Sequence, residues 1–184
     1  MIRTARLTLR PPRDDDLDAL HAIFSDPRAM RYWSHAAHAD IDRTRKTLAG
    51  MIASDADTGL EFVIECDGAV IGKAGMWRMG EIGYILHPDR WGGGFATEAV
   101  GAVVAAAFAR HPDLDALTAE IDPRNTGSAA LLARLGFREV ERVENAVEIG
   151  GKWFDSGFWR LDRPSDPLEN APGAPPLPGP SAAG

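Results

Sequence analysis

The sequence predicts a single mixed α/β or α+β domain, and three observations carry that expectation. Strand-like alternation and helix-like apolar spacing replace one another along the chain: strand, helix, helix, three strands, helix, strand, helix, two strands. An Asp67-Gly68 pair stands between two apolar runs, the two-residue signal of a tight hairpin. The chain has 184 residues, 45% hydrophobic and 26% charged, which suits one domain with a sizeable core.

Taken in order, Arg6-Leu7-Thr8-Leu9-Arg10 alternates and reads as a first strand, stopped by Pro11-Pro12. Asp14 to Asp16 then supply cap and first-turn charge for a helix whose buried stripe is Leu17, Leu20, His21 and Phe24. Asp26-Pro27 breaks it, and residues 40–53 form a second amphipathic helix with Ile41, Thr44, Leu48, Met51 and Ile52 inward. Residues 61–66 and 69–74 are the hairpin strands, and a third strand runs over 81–86, interrupted by Gly83. Glycine within a strand marks a bulge or a close approach of another group.

His87-Pro88 ends that strand, and His87 itself reads as its cap. A glycine run follows, then Val100, Val103, Val104, Ala107 and Phe108 at helical spacing. Next come a strand over 117–121, a helix over about 126–135 closed by Gly136, and a closing pair over 137–143 and 153–161 joined by Gly150-Gly151. From Arg163 onward Pro, Ala and Gly dominate and aromatics vanish, so the domain is placed at 1–162 and a disordered tail at 163–184.

Composition removes several function classes. The formal net charge of −7 argues against non-specific nucleic-acid binding and leans toward a cationic small molecule or peptide as partner. The single cysteine, Cys66, excludes an internal disulfide and a cysteine-based zinc site and fits the cytoplasm. No apolar run approaches the roughly 18 residues of a membrane span, and the alternating N-terminus is not a signal peptide. His35 and His38 lie three apart without a third partner by sequence, so no metal site is expected.

The unusual chemistry is at W-G-G-G-F-A-T-E-A, residues 91–99. Glycines just before a helix let the chain take positive φ and bring the backbone close to a ligand. A helix start also offers unpaired N–H groups and partial positive charge, so strand, glycine turn and helix make a phosphate cradle. The plainer reading is a tight turn without a ligand. The run is neither a Walker A loop nor a dinucleotide fingerprint, because it lacks Gly-Lys-Ser/Thr and the G-x-G-x-x-G spacing. A second feature follows the next strand: Asn125-Thr126-Gly127-Ser128, in which Asn125 also reads as a helix cap.

Together these residues resemble the GNAT superfamily of acyl-CoA-dependent N-acyltransferases, and within it the ribosomal-protein N-terminal acetyltransferase (RimJ/RimL-like) branch. T-A-R-L-T-L-R-P-P-R-D-D-D-L-D-A-L is similar to that branch's opening, E-I-G-Y-I-L-H-P-D-R-W-G-G-G-F-A-T-E-A to its central acyl-CoA motif, and N-T-G-S-A-A-L-L-A-R-L-G-F to the motif that follows. The blocks span residues 4–137. The resemblance implies a mostly antiparallel central sheet of about seven strands, helices on both faces and a splayed central strand pair. On the pattern Q/R-x-x-G-x-G/A, Trp91 holds the first position, Gly94 the glycine and Ala96 the last small residue. Trp91 departs from the superfamily's Gln or Arg, a departure usual in the branch.

What the resemblance implies about the site is specific. Trp91, Gly92, Gly93, Gly94, Phe95, Ala96 and Thr97 form the acetyl-CoA turn, Leu86 lends backbone hydrogen bonds to the pantetheine arm, and Asn125 contacts the pantetheine amides or the thioester region. Glu81 stands where some members carry a general base; it also reads as an ordinary strand-end carboxylate, with Glu120 as the alternative. The tyrosine acid of many relatives is replaced by Leu132, and Ser128 takes its place as candidate donor to the thiolate. Trp33, Trp77 and Trp153 read as pocket walls or as core. With no cysteine in the motifs, the expected reaction is direct acetyl transfer from acetyl-CoA to a primary amine, a protein N-terminus or a small molecule. No nucleic acid, membrane or metal is expected, and a homodimer is left open. The rival is a non-catalytic acyl-CoA sensor or structural subunit, supported by Leu132.

Overall fold

A computed structural model describes residues 1–164, apart from the side chains of residues 56–58. The elements are β1 (Ile2–Arg3), β2 (Thr8–Arg10), α1 (Leu17–Phe24), α2 (Ile41–Thr58), β3 (Glu61–Cys66), β4 (Ala69–Arg78) and β5 (Glu81–Leu86). They continue with α3 (Phe95–Arg110), β6 (Ala116–Ile121), α4 (Thr126–Arg134), β7 (Arg138–Ile149) and β8 (Lys152–Asp162). All strands join one eight-stranded sheet in the order β1-β2-β3-β4-β5-β6-β8-β7. The expectation of about seven strands is met with one more, the two-residue β1, too short to leave a periodicity.

Every neighbouring pair is antiparallel except β5 and β6. Those two run parallel and share a single paired position, Glu81 with Thr118, near their starts. Beyond it they diverge, so their C-terminal ends open a cleft in the middle of the sheet. α3 follows β5 and α4 follows β6, which brings both helix N-termini to that opening. In open sheets with parallel strands, the carboxyl ends of a diverging pair are where ligands bind.

Two apolar clusters cover the two faces of the sheet. One joins Phe62, Ile64, Ala74 and Met76 to Val100 and Val103 of α3 and Leu132 of α4. The other packs Val63 and Ile85 under Leu20, Phe24, Leu48 and Met51 of α1 and α2. Adjacent residues such as Phe62 and Val63 thus serve opposite faces, as the two-residue period of a strand demands. A bidentate pair between Arg10 and buried Asp16, at 2.5 and 2.9 Å, with a third bond from Arg10 Nε to Glu65 at 2.7 Å, ties β2, β3 and the turn before α1 together.

Several boundaries differ from expectation for local reasons. The second helix extends to Thr58 because no breaker intervenes before Gly59, which caps it at φ 65°. Ile52 of that helix is exposed, and Val104 and Phe108 are only partly buried. The 61–66 and 81–86 strands stand where the alternation put them, and the Asp67-Gly68 turn carries positive φ at both residues. β7 runs on to Ile149, well past 143, because a register shift around Val143 to Val147 keeps it paired to β8. Arg163, the first residue of the expected tail, is fastened to the domain. Its backbone N–H donates to Asp115 O and its guanidinium to Leu114, Phe108 and His111 carbonyls. The remainder of that tail, 165–184, lies outside the described residues.

Candidate active site

The site is built where α3 begins. Gly94 caps the helix at φ 76°, a backbone region that L side chains rarely adopt, and no side chain caps the helix there. The first-turn N–H groups therefore face the cleft with the positive end of the helix dipole behind them. Arg6 braces this turn: its guanidinium donates to Gly93 O at 2.7 Å and to Glu98 at 2.7 Å and lies 4.4 Å over the Phe95 ring. Burial works to raise the Glu98 carboxyl, but hydrogen bonds from Thr4 and Arg6 prevail and hold it below the usual range.

The cleft is a cavity of about 1030 Å³ that runs from this turn, past β5, to the far side of the sheet under α2. Of the glycine-turn residues, Trp91, Gly92, Gly94, Phe95, Ala96 and Thr97 line it, whereas Gly93 turns its carbonyl to Arg6. Leu86 lines it as well, yet its carbonyl already accepts from the Trp91 indole at 3.1 Å. Trp91 thus braces the strand end, a role the motif pattern did not announce. His87 acts as a cap, its Nδ1 accepting from Asp89 N at 3.3 Å.

Asn125 and Ser128 enter from α4. The Asn125 Oδ1 accepts from Ser128 N at 3.1 Å, so the helix-cap reading holds, and both residues line the cavity. Leu132, where a tyrosine would be expected, is fully buried core. A different tyrosine occupies the neighbourhood. Tyr84 projects from β5 beside Ser128, its hydroxyl buried and without a hydrogen bond of good geometry. Burial pushes this phenol up to about 12, with the Ser128 hydroxyl pulling the other way. The -I-G-Y- order alone did not single it out, because an aromatic alternating in a strand also reads as core.

The opposite face of the sheet carries the carboxylates, one on β5 and one on β6. Glu81 lines the cavity with both oxygens engaged, Oε1 by the Trp77 indole at 3.2 Å and Oε2 by Arg78 at 2.5 and 3.0 Å. Glu120 on β6 lines it too and accepts from Ser156 Oγ at 2.6 Å. Trp33 and Trp77 wall the cavity, while Trp153 is exposed and is absent from the lining. His38 belongs to neither: it is buried, bonded through Nδ1 to Thr44 Oγ1 at 2.9 Å and stacked on Phe24.

The family of the Acetyltransferase (GNAT) domain matches residues 6–138, a span that holds the glycine turn, the splayed strand pair and the Asn125 motif. The chain belongs to the GNAT acetyltransferases. This GNAT chain is 30% identical over 171 residues to an N-acetyltransferase, p20, of Bacillus licheniformis, covering 86% of this chain and 93% of that one. Its fold is similar to that of an acetyl transferase of Salmonella typhimurium that modifies the N-terminal serine of a 50S ribosomal subunit protein (TM-score 0.74, 20% identity, 88% and 97% of the two chains). It is similar also to the spermidine N-acetyltransferase of Vibrio cholerae, solved with CoA and spermine (TM-score 0.73, 21% identity, 86% and 96% of the two chains). In this GNAT domain the mixed, mostly antiparallel sheet and the splay are those the sequence resemblance implied. No helix among the described residues is long and apolar enough to cross a membrane.

Proposed function

We propose that this acetyltransferase moves an acetyl group from acetyl-CoA to a primary amine by direct attack within a ternary complex, in the cytoplasm and in the manner of the RimJ/RimL-like branch. The observation that carries it is the continuity of one cavity from the uncapped α3 N-terminus to the carboxylates on the far side of β5. Anion chemistry at one end and amine chemistry at the other, joined through the strand splay, is what a two-substrate transfer requires.

In this reading the backbone from Gly92 to Thr97 receives the pyrophosphate of acetyl-CoA, with Trp91 and Phe95 flanking it and Gly93 held by Arg6. The β5 backbone near Leu86 and the Asn125 amide receive the pantetheine arm. Acetyl-CoA supplies an activated thioester. Glu81, held by Trp77 and Arg78, takes the proton of the incoming ammonium directly or through water, with Glu120 as the alternative. The freed amine nitrogen bonds to the acetyl carbonyl carbon, the nitrogen's surplus proton passes to water as the C–S bond breaks, and Ser128 relays a proton to the departing thiolate. Tyr84, beside Ser128, helps hold that hydroxyl in place, and solvent returns the proton that Ser128 passes on.

The test is a calorimetric titration with acetyl-CoA followed by turnover. Asn125→Ala weakens acetyl-CoA binding and lowers turnover together, whereas Ser128→Ala lowers turnover more than affinity, since its bond forms only as the thiolate develops. Equal effects on affinity and turnover for Ser128→Ala remove it as the acid. Glu81→Gln lowers turnover by about 10²–10⁴-fold at neutral pH with unchanged acetyl-CoA affinity, and rising pH partly restores it. Near-wild-type turnover of that variant places the base elsewhere.

A further inference from the structure

The face of the sheet beneath α2 holds a charged pair that the reaction scheme leaves unused. Lys73 of β4 and Glu61 of β3 are 6% and 0% exposed, and Lys73 Nζ donates to Glu61 Oε1 at 2.6 Å. Both line the cavity. Neither is satisfied: this is the one hydrogen bond of the Lys73 ammonium among the described residues, and Glu61 Oε2 has no partner. An ammonium carries three donors, and buried polar groups as a rule find partners for their donors. Glu61 is the more deeply seated member, its Oε2 lying 2.3 Å from where a Cβ on Gly75 would stand, and Lys73 is the one that reaches toward β5.

The space over this ammonium is kept open by the sequence. Lys73 Nζ would stand 4.0 Å from a Cβ at Gly83, the glycine in the middle of β5, and the Trp77 ring 3.5 Å from it. Any larger side chain at 83 would fill the volume between Lys73, Trp77 and the strand. On the same face, Trp77 holds Glu81. A fixed cation and a fixed carboxylate therefore flank one stretch of cavity wall next to the splay.

We infer that Lys73 is an anchor for a carboxylate on the acceptor, and that the acceptors are small amino-carboxylates rather than simple amines. The inference rests on the acetyl-transfer reading. The amine is turned toward Glu81 and the thioester, and the carboxylate takes the unused donors of Lys73. Glu61 is a positioning residue: it fixes the ammonium and keeps the empty site electrically neutral. The anchor lies deep, with Gly50, Met51 and Ser54 of α2 lining the same cavity, so the group that reaches it is small and terminal. The first residue of a protein has its α-carboxyl tied up in a peptide bond and so has no α-carboxylate to place there.

A matched series tests this: phenylalanine, phenylalaninamide and phenethylamine, which share a side chain and an amine and differ in the carboxylate. The wild-type protein favours phenylalanine over its amide by at least tenfold in kcat/KM. In the double variant Lys73→Met with Glu61→Gln, which leaves no buried charge unpaired, that ratio falls to near one. The KM for acetyl-CoA stays within twofold. A purely structural ion pair would shift melting and overall activity but not the ratio. Calorimetric titration of phenylalanine into the CoA-saturated protein gives a second readout, with binding lost in the double variant. Preference for the amide, a ratio that survives in the double variant, or no phenylalanine binding to the wild type overturns the inference. Acetyl-CoA binding without transfer to any amine would instead overturn the transferase reading and leave the carboxylate titration to decide on Lys73.

Discussion

At the residue scale the decisive position is Gly94. Its positive φ is what glycine supplies without strain, and in the proposed acetyl-CoA complex a side chain there meets the path of the pyrophosphate. Gly94→Glu adds both strain and like charge, so acetyl-CoA affinity should fall by roughly 100-fold or more, about 3 kcal/mol. Calorimetry on a variant with native circular dichroism checks it, and unchanged affinity refutes the cradle. A second residue-scale effect is remote from the site. Burial, assisted by His35, Arg43 and His21, holds the His38 imidazole down to about 4, against an ordinary value of 6.5. Unfolding then takes up a proton between those values, so stability falls as pH drops from 6.5 and levels off below about 4. The span corresponds to about 3 kcal/mol at most. His38→Gln should remove that part of the acid destabilisation in urea titrations at pH about 7.5 and 4.5; an unchanged pH dependence contradicts it.

At the element scale, what was legible in the sequence follows from which signals are local. The 61–66 and 81–86 strands and the 67–68 turn coincide with the structure because alternation and the Asp-Gly pair act within a few residues. The helix starts at Gly94 and Asn125 were legible for the same reason: the residues that open a helix lie in one run of chain. Long-range pairings were not. Lys73 and Glu61 are 12 residues apart and meet only through the β3–β4 pairing, and Tyr84 meets Ser128 only across the splay. Likewise Arg10, Asp16 and Glu65 converge from three elements, and nothing in their spacing marks them. Arg10→Met strands the buried Asp16 carboxylate and should cost about 3–5 kcal/mol in chemical denaturation. A loss below about 1 kcal/mol would mean that the triad is solvated and marginal.

At the scale of the whole molecule, the sheet is held at its centre by one pairing between β5 and β6, and elements elsewhere must hold the two halves in register. Arg163 is one of them, joining the chain after β8 to the carbonyls that end α3 and lying 4.8 Å over Phe108. A chain cut after Pro164 keeps this tie. One cut after Asp162 should melt lower by about 3–6 °C, the effect of one to two kcal/mol in a domain of this size. Equal melting of both would show that Arg163 adds nothing. The unity of the cavity is the larger claim: two substrates must occupy it together. Initial rates of thiol release, measured over a grid of acetyl-CoA and amine concentrations with the acetylated amine quantified by mass, test it most directly. Intersecting double-reciprocal lines with one acetylated amine per thiol released are the predicted result. Tight acetyl-CoA binding with no transfer to any amine, or parallel lines with an acetylated enzyme, would contradict it.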